Sequence, residues 1–318
     1  MTSVEDTSIK QWKSSRKTPE MAEAVKSVYA EIAESMPLQK KKFEEGVLSK
    51  MTEDEKKGIE ESLNRLGLTF DFTLCHVRYL PDFKPIELDF TVCYVRHGKT
   101  EGNTEPRIFQ GYCDYWENQL NATGKKQAEE AAKKMESTLT TFKPDLILCS
   151  PLGRAIETGA AFFNKHPEIP TRVHYGAREQ QFGNWDNVQV QHLPKDDICH
   201  LFYLEQNALV KAPQPHVLFD GTIRQEYDSE NFVDLLLREA EFLRSVNNEA
   251  EVKKAKTKGR LANVLIYGHS MAGAAISTLL GHGKTFNEQG SIGFDGKYIM
   301  PNATPTMLPA QTPEVNRK

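Results

Sequence analysis

Three turns in this chain could do chemistry, and each follows a short apolar run. Phe90-Thr91-Val92-Cys93-Tyr94-Val95 runs into Arg96-His97-Gly98, and Asn263-Val264-Leu265-Ile266-Tyr267 runs into Gly268-His269-Ser270. Asp145-Leu146-Ile147-Leu148-Cys149 runs into Ser150-Pro151, with Arg154 close behind. An Arg-His-Gly triplet at a strand's end gathers a permanent cation, an imidazole and a permissive backbone into one turn. That set suits phosphoryl transfer: a fixed, neutral imidazole nitrogen can attack phosphorus while guanidinium groups neutralise the oxygens through bidentate hydrogen bonds. His97 is the candidate nucleophile, and Arg154, behind Ser150-Pro151, is directed to the same sheet edge.

Such residues need a scaffold that brings three strand ends together. From Asp89 the chain alternates short apolar runs with helical patterns at Gly124 to Leu139, Gly153 to Phe163 and Glu230 to Val246. This is the texture of an α/β fold, a three-layer sandwich with a mostly parallel central sheet flanked by helices. Ligands of such sheets bind beyond the carboxyl ends of the strands. Residues 1–88 read as a helical, charged N-terminal extension. Thr18-Pro19-Glu20 offers a helix start, Thr52 and Glu55 form a capping box, and Gly67 supplies a stop. The main domain spans 89–308, with an irregular insertion at about 187–222 that could serve as a lid. Glu251 to Arg260 reads as a solvated connection, Thr306 to Leu308 as a last short strand, and 309–318 as a flexible tail.

Composition narrows the field. The chain has 318 residues, 39% hydrophobic and 26% charged, so it can bury a core, and its net charge of -4 argues against a nucleic-acid partner. The N-terminus carries no apolar signal segment and no apolar run could span a bilayer, so no membrane association is expected and the expected location is the cytoplasm. Cys75, Cys93, Cys113, Cys149 and Cys199 show no metal-ligand spacing, which predicts reduced thiols and no metal site.

The order of motifs resembles the histidine phosphatase superfamily, in its phosphoglycerate-mutase-like branch. The matching stretches are Arg96-His97-Gly98-Lys99-Thr100-Glu101-Gly102-Asn103 with Gln110-Gly111-Tyr112-Cys113-Asp114, then Ser150-Pro151-Leu152-Gly153-Arg154-Ala155. Glu179 ahead of Phe182-Gly183 and Gly268-His269-Ser270-Met271-Ala272-Gly273 complete the set. The resemblance implies that His97 becomes phosphohistidine and that Arg96, Arg154 and His269 clamp the phosphoryl oxygens with help from Asn103. It also implies that Glu179 protonates the leaving oxygen and then activates water, with Glu101 and Asp186 as alternative acids, and that no cofactor is needed. The expected activity is a metal-independent phosphomonoesterase acting on a phosphorylated small molecule or phosphoprotein, and a homo-oligomer is left open. A phosphoglycerate-mutase-type phosphotransferase and a non-catalytic phospho-ligand scaffold are the alternatives. Two departures stand out: Lys99 replaces a frequent acidic residue, which would alter substrate charge preference, and Ser270-Met271 replaces a glycine pair. Gly268-His269-Ser270 also looks like a hydrolase nucleophile elbow, but only His282 follows, too soon for that chain order.

Overall fold

The computed structural model describes residues 19–105, 107–213, 216–217, 223–224 and 229–313. The Thr18 helix start, the polar stretch 1–17, Pro215 and Thr222 of the expected insertion, and residues 314–318 of the tail lie outside them.

The described residues begin with three helices, α1 (Pro19–Glu34), α2 (Met36–Gly46) and α3 (Glu53–Asn64). The capping box at α3 forms: Glu55 N–H donates to Thr52 Oγ1 at 3.2 Å, and Thr52 N–H donates to Glu55 Oε2 at 2.7 Å. Gly67, at φ +73°, then turns the chain out of helical geometry. A hairpin follows that a wholly helical extension does not contain. Strands β1 (Leu68–Asp71) and β2 (His76–Tyr79) pair antiparallel, Leu68 opposite Tyr79 and Asp71 opposite His76. Asp71 Oδ1 closes its turn by accepting from the Thr73 and Leu74 amides. Four-residue strands show too few alternations for sequence periodicity to reveal them.

The main domain then builds β3 (Phe90–Arg96), α4 (Ala122–Thr138), β4 (Leu146–Cys149), α5 (Gly153–Phe163), β5 (Thr171–Val173), α6 (Cys199–Leu204), the short pair β6 (His216–Val217) and β7 (Ile223–Arg224), α7 (Phe232–Val246), α8 (Ala250–Thr257), β8 (Ala262–Gly268), α9 (Ser270–Leu279) and β9 (Thr306–Leu308). The central sheet has the order β5-β4-β8-β3-β9, with β9 alone antiparallel. It is the α/β sandwich expected from the sequence. Alternate side chains of its strands feed two cores. Cys93, Val95, Ile147 and Leu265 pack on Ala132, Met135 and Phe162 of α4 and α5, whereas Val92, Tyr94, Leu148 and Ile266 join a larger cluster with α7 and α9. That larger cluster continues into Phe43, Leu63, Leu68 and Val77, so the N-terminal elements share the main core.

Two local expectations need correction. The stretch read as a solvated connection contains α8, because Val252 and Ala255 are buried one turn apart while its lysines face water. The described part of the 187–222 insertion is packed rather than irregular: Cys199, Leu201, Phe202, Ala208 and Val210 are buried, and α6 lies among them. No helix among the described residues is long and apolar enough to cross a membrane.

Strand register brings the three reactive turns level. Arg96 lies opposite Gly268, and Cys149 opposite Tyr267, so His97, His269 and Ser150 leave the sheet side by side. The turn after β3 is pressed against the start of α4, where a Cβ on Gly124 would sit 2.1 Å from the Lys99 carbonyl oxygen. Gly124→Ala is expected to destabilise the fold by about 1–3 kcal/mol, read as a lowered urea midpoint. An unchanged midpoint would contradict this packing.

Candidate active site

Residues around the level strand ends enclose a cleft of about 510 Å³, its open mouth included, lined by Arg96, His97, Asn103, Arg154 and Glu179 among others. Five of the six residues singled out in the sequence thus share one cleft. The sixth, His269, lies against it, with its ring centroid 5.4 Å from that of His97.

His97 is 2% exposed, and its Nδ1 lies 2.8 Å from the Gly98 carbonyl oxygen. A carbonyl can only accept, so Nδ1 carries the proton and the Nε2 lone pair is free. The turn is held from two further sides: Gly98 N–H donates to Thr158 Oγ1 at 2.9 Å, and Asn302 Nδ2 donates to the His97 carbonyl at 2.8 Å. Burial, followed by the charges of Arg154 and Arg96, holds the His97 imidazole well below its usual pKa.

The two guanidiniums are anchored by backbone, not by carboxylates. Arg96 Nη1 donates to Met300 O; Arg154 Nη1 and Nη2 donate to Cys113 O and Gly111 O at 2.9 and 2.8 Å. Arg154 is fully buried, and burial lowers the pKa of both side chains. His269 Nε2 sits 2.7 Å from Ser150 Oγ, which itself accepts from the Leu152 amide. The Ser150 hydroxyl has a hydrogen it can donate to Nε2, and in that tautomer the imidazole proton sits on Nδ1. Burial, then Arg154, keeps His269 well below its usual pKa as well.

Among the described residues the buried side-chain donors without any partner are Arg96 Nε, Arg154 Nε and His269 Nδ1. Each such orphan costs about 1–3 kcal/mol. All three belong to residues expected to grip a phosphoryl group. Asn103 turns its amide oxygen to the Thr100 backbone N–H at 3.2 Å, which fixes the loop along the cleft.

Glu179 occupies the N-terminus of α9. Its Oε1 accepts from the amides of Gln180, Met271 and Ala272, and its Oε2 from the amide and hydroxyl of Ser270. Helix N-termini attract anions, which explains why a carboxylate settles there. Ser270, which looked like a hydrolase nucleophile, thus serves as a donor to Glu179. Of the alternative acids, neither Glu101 nor Asp186 lines the cleft. Burial pushes Asp186 up to about 8, and its carboxyl lies against Gly111, where it leaves no room for a Cβ. Lys99 is likewise absent from the cleft lining; its amide donates to Gln127. Sequence reasoning missed Arg107 and Asp295, a cleft-wall ion pair at 3.0 Å. Their separation by 188 positions carries no local signal.

Comparisons with known proteins give the chain its family. Residues 92–286 match the model of the histidine phosphatase superfamily, branch 1. The chain is 42% identical over 299 residues to a mannitol-1-phosphatase of Eimeria tenella, an alignment covering 90% of this chain and 96% of that protein. Among solved structures, a mycobacterial glucosyl-3-phosphoglycerate phosphatase is 24% identical, covering 60% of this chain and 82% of that one with a TM-score of 0.45. The chain belongs to the histidine phosphatase superfamily. It is a phosphoric monoester hydrolase.

The lowered imidazole pKa gives a test with a defined sign. Ring-nitrogen NMR should show His97 titrating well below the usual imidazole range, because burial and the neighbouring guanidiniums disfavour the imidazolium. Arg154→Gln removes a repelling cation, so the His97 titration should move upward. A downward shift would contradict the electrostatic account.

Proposed function

We propose that the chain hydrolyses the phosphomonoester of a small polyhydroxylated molecule, with mannitol 1-phosphate the first candidate, through a phosphohistidine on His97. The single observation that carries this reading is the convergence of three unpartnered buried donors around a neutral imidazole whose Nε2 is free. The mannitol choice comes from the 42% identical relative of that name.

In the first half-reaction His97 Nε2 attacks phosphorus and the bond to the leaving oxygen breaks. Arg96, Arg154 and His269 Nδ1–H hold the non-bridging oxygens, supplying positioning and charge, which are the main demands of phosphoryl transfer. Glu179 enters this half-reaction as the protonated acid, gives its proton to the leaving oxygen and ends as the carboxylate that the α9 amides hold, and the alcohol departs. In the second half Glu179 takes a proton from water, the hydroxide attacks phosphorus, and the N–P bond breaks to release inorganic phosphate. Glu179 lies within electrostatic reach of both Arg96 and Arg154, as an acid and base for this centre must. The guanidiniums already supply the cationic charge that a metal ion would bring.

Release of inorganic phosphate from mannitol 1-phosphate should persist in excess chelator and fall by roughly 10³-fold or more in His97→Ala. Radiolabelled substrate should leave an acid-labile label on the wild-type chain. Dependence on added metal, or full activity without His97, would overturn the mechanism, and isomerisation of 3-phosphoglycerate would favour the mutase.

A further inference from the structure

We propose that Asp295, paired with Arg107 on the cleft wall, selects a leaving group that is uncharged and rich in hydroxyls. The inference rests on the phosphomonoesterase reading of the same cleft and adds the residue that sets its substrate class.

The charge inventory of the cleft carries the argument. Arginines 96, 107 and 154 are the cations among the described residues that line it. Arg96 and Arg154 keep donors free for the phosphoryl group. Arg107 is committed: Nη2 donates to Asp295 Oδ2 at 3.0 Å, and its guanidinium lies 5.5 Å from the centre of the Tyr203 ring. A carboxylated leaving group would therefore meet Asp295 without a spare cation to offset it, and like charges brought together in a desolvated cleft strongly oppose binding. Hydroxyl groups suit the same wall. Asp295 Oδ1 accepts no hydrogen bond from a described residue, so it can take a hydroxyl proton. A wholly apolar leaving group would leave that oxygen unsatisfied.

Asp295 is positioned from several sides, as specificity requires. Its amide and that of Phe294 both donate to Gln206 Oε1, at 3.0 and 2.8 Å. The loop before it is tied to β2, with the Ile292 amide on the Val77 carbonyl at 2.9 Å and Ser291 Oγ 3.0 Å from His76 Nδ1. On the opposite side, Tyr29 of α1 donates to Glu105 Oε2, which also accepts the Arg107 amide. The N-terminal helices and hairpin, which supply none of the reacting groups, thereby build the wall that reads the leaving group.

The test compares two six-carbon phosphates that differ at the far end, mannitol 1-phosphate and 6-phosphogluconate, the second carrying a carboxylate. Binding is measured by calorimetry on the full-length His97→Ala chain, where turnover is silenced. Mannitol 1-phosphate should bind at least about tenfold more tightly. Adding Asp295→Asn should bring the ratio toward one, and Asp295→Glu should restore it. A parent ratio near one, or a ratio unmoved in a folded Asp295→Asn chain, overturns the proposal. Should the Asn chain fail to fold, the parent ratio and the Glu chain decide. Hydrolysis of mannitol 1-phosphate that survives in His97→Ala counts against the phosphohistidine reading instead, and so separates the two failures.

Discussion

Everything in this site depends on two guanidiniums buried beside an imidazole with no carboxylate bonded to them. Arg96 and Arg154 are tethered by carbonyl oxygens, which fix their direction without cancelling their charge. Buried cations of this kind are expensive, and the expense is recovered only when an anion arrives. Burial, with the same charges, holds the His97 imidazole well below its usual pKa, which favours the neutral form that the proposed attack needs. One arrangement thus prepares both the attacking atom and the oxygens it attacks past.

The sheet makes that arrangement rigid. Strands β3, β8 and β4 end in register, and the turns after them are stitched together by short polar links. Tyr94 accepts the His269 amide at 2.7 Å and donates to the His269 carbonyl at 2.9 Å, locking one histidine turn from inside the core. Arg238 holds the acid's backbone in the same way, its Nη2 donating to the Glu179 carbonyl at 2.9 Å. Glu179 is then seated on the first amides of α9, directly after His269. The groups proposed as acid, clamp and nucleophile are thus tied into one hydrogen-bonded framework, and preorganised dipoles of this type need no rearrangement during reaction.

Electrostatic function is divided along the cleft. At the sheet edge the positive charge is left open, whereas at the wall Arg107 is neutralised by Asp295. That division separates the phosphoryl-binding end from the end that meets the rest of the substrate. Segments distant in the chain, α1, the β1–β2 hairpin and the stretch following α6, converge on the wall, while the candidate catalytic groups come from the turns, loops and helix starts that follow the strands of the main sheet.

How much of this was legible in the sequence follows from the range of the interactions. Strands β3, β4 and β8 are uniform apolar runs, α3 carries its own capping box, and the motifs at His97, Arg154 and His269 follow strands directly, so local reading located them. The β1–β2 hairpin and the amphipathic α8 were obscured because short elements owe their stability to tertiary packing more than to their own pattern. Lys99 drew attention by its position in a motif, yet the residues at the wall are Arg107 and Asp295. The amino-acid order by itself determined the fold class and which side chains could carry phosphoryl chemistry, since both rest on contiguous patterns. Only the tertiary structure decided that Glu179 sits on α9, that three donors stay unpaired and that Asp295 meets Arg107, because those facts depend on strand register and on contacts between segments far apart in the chain.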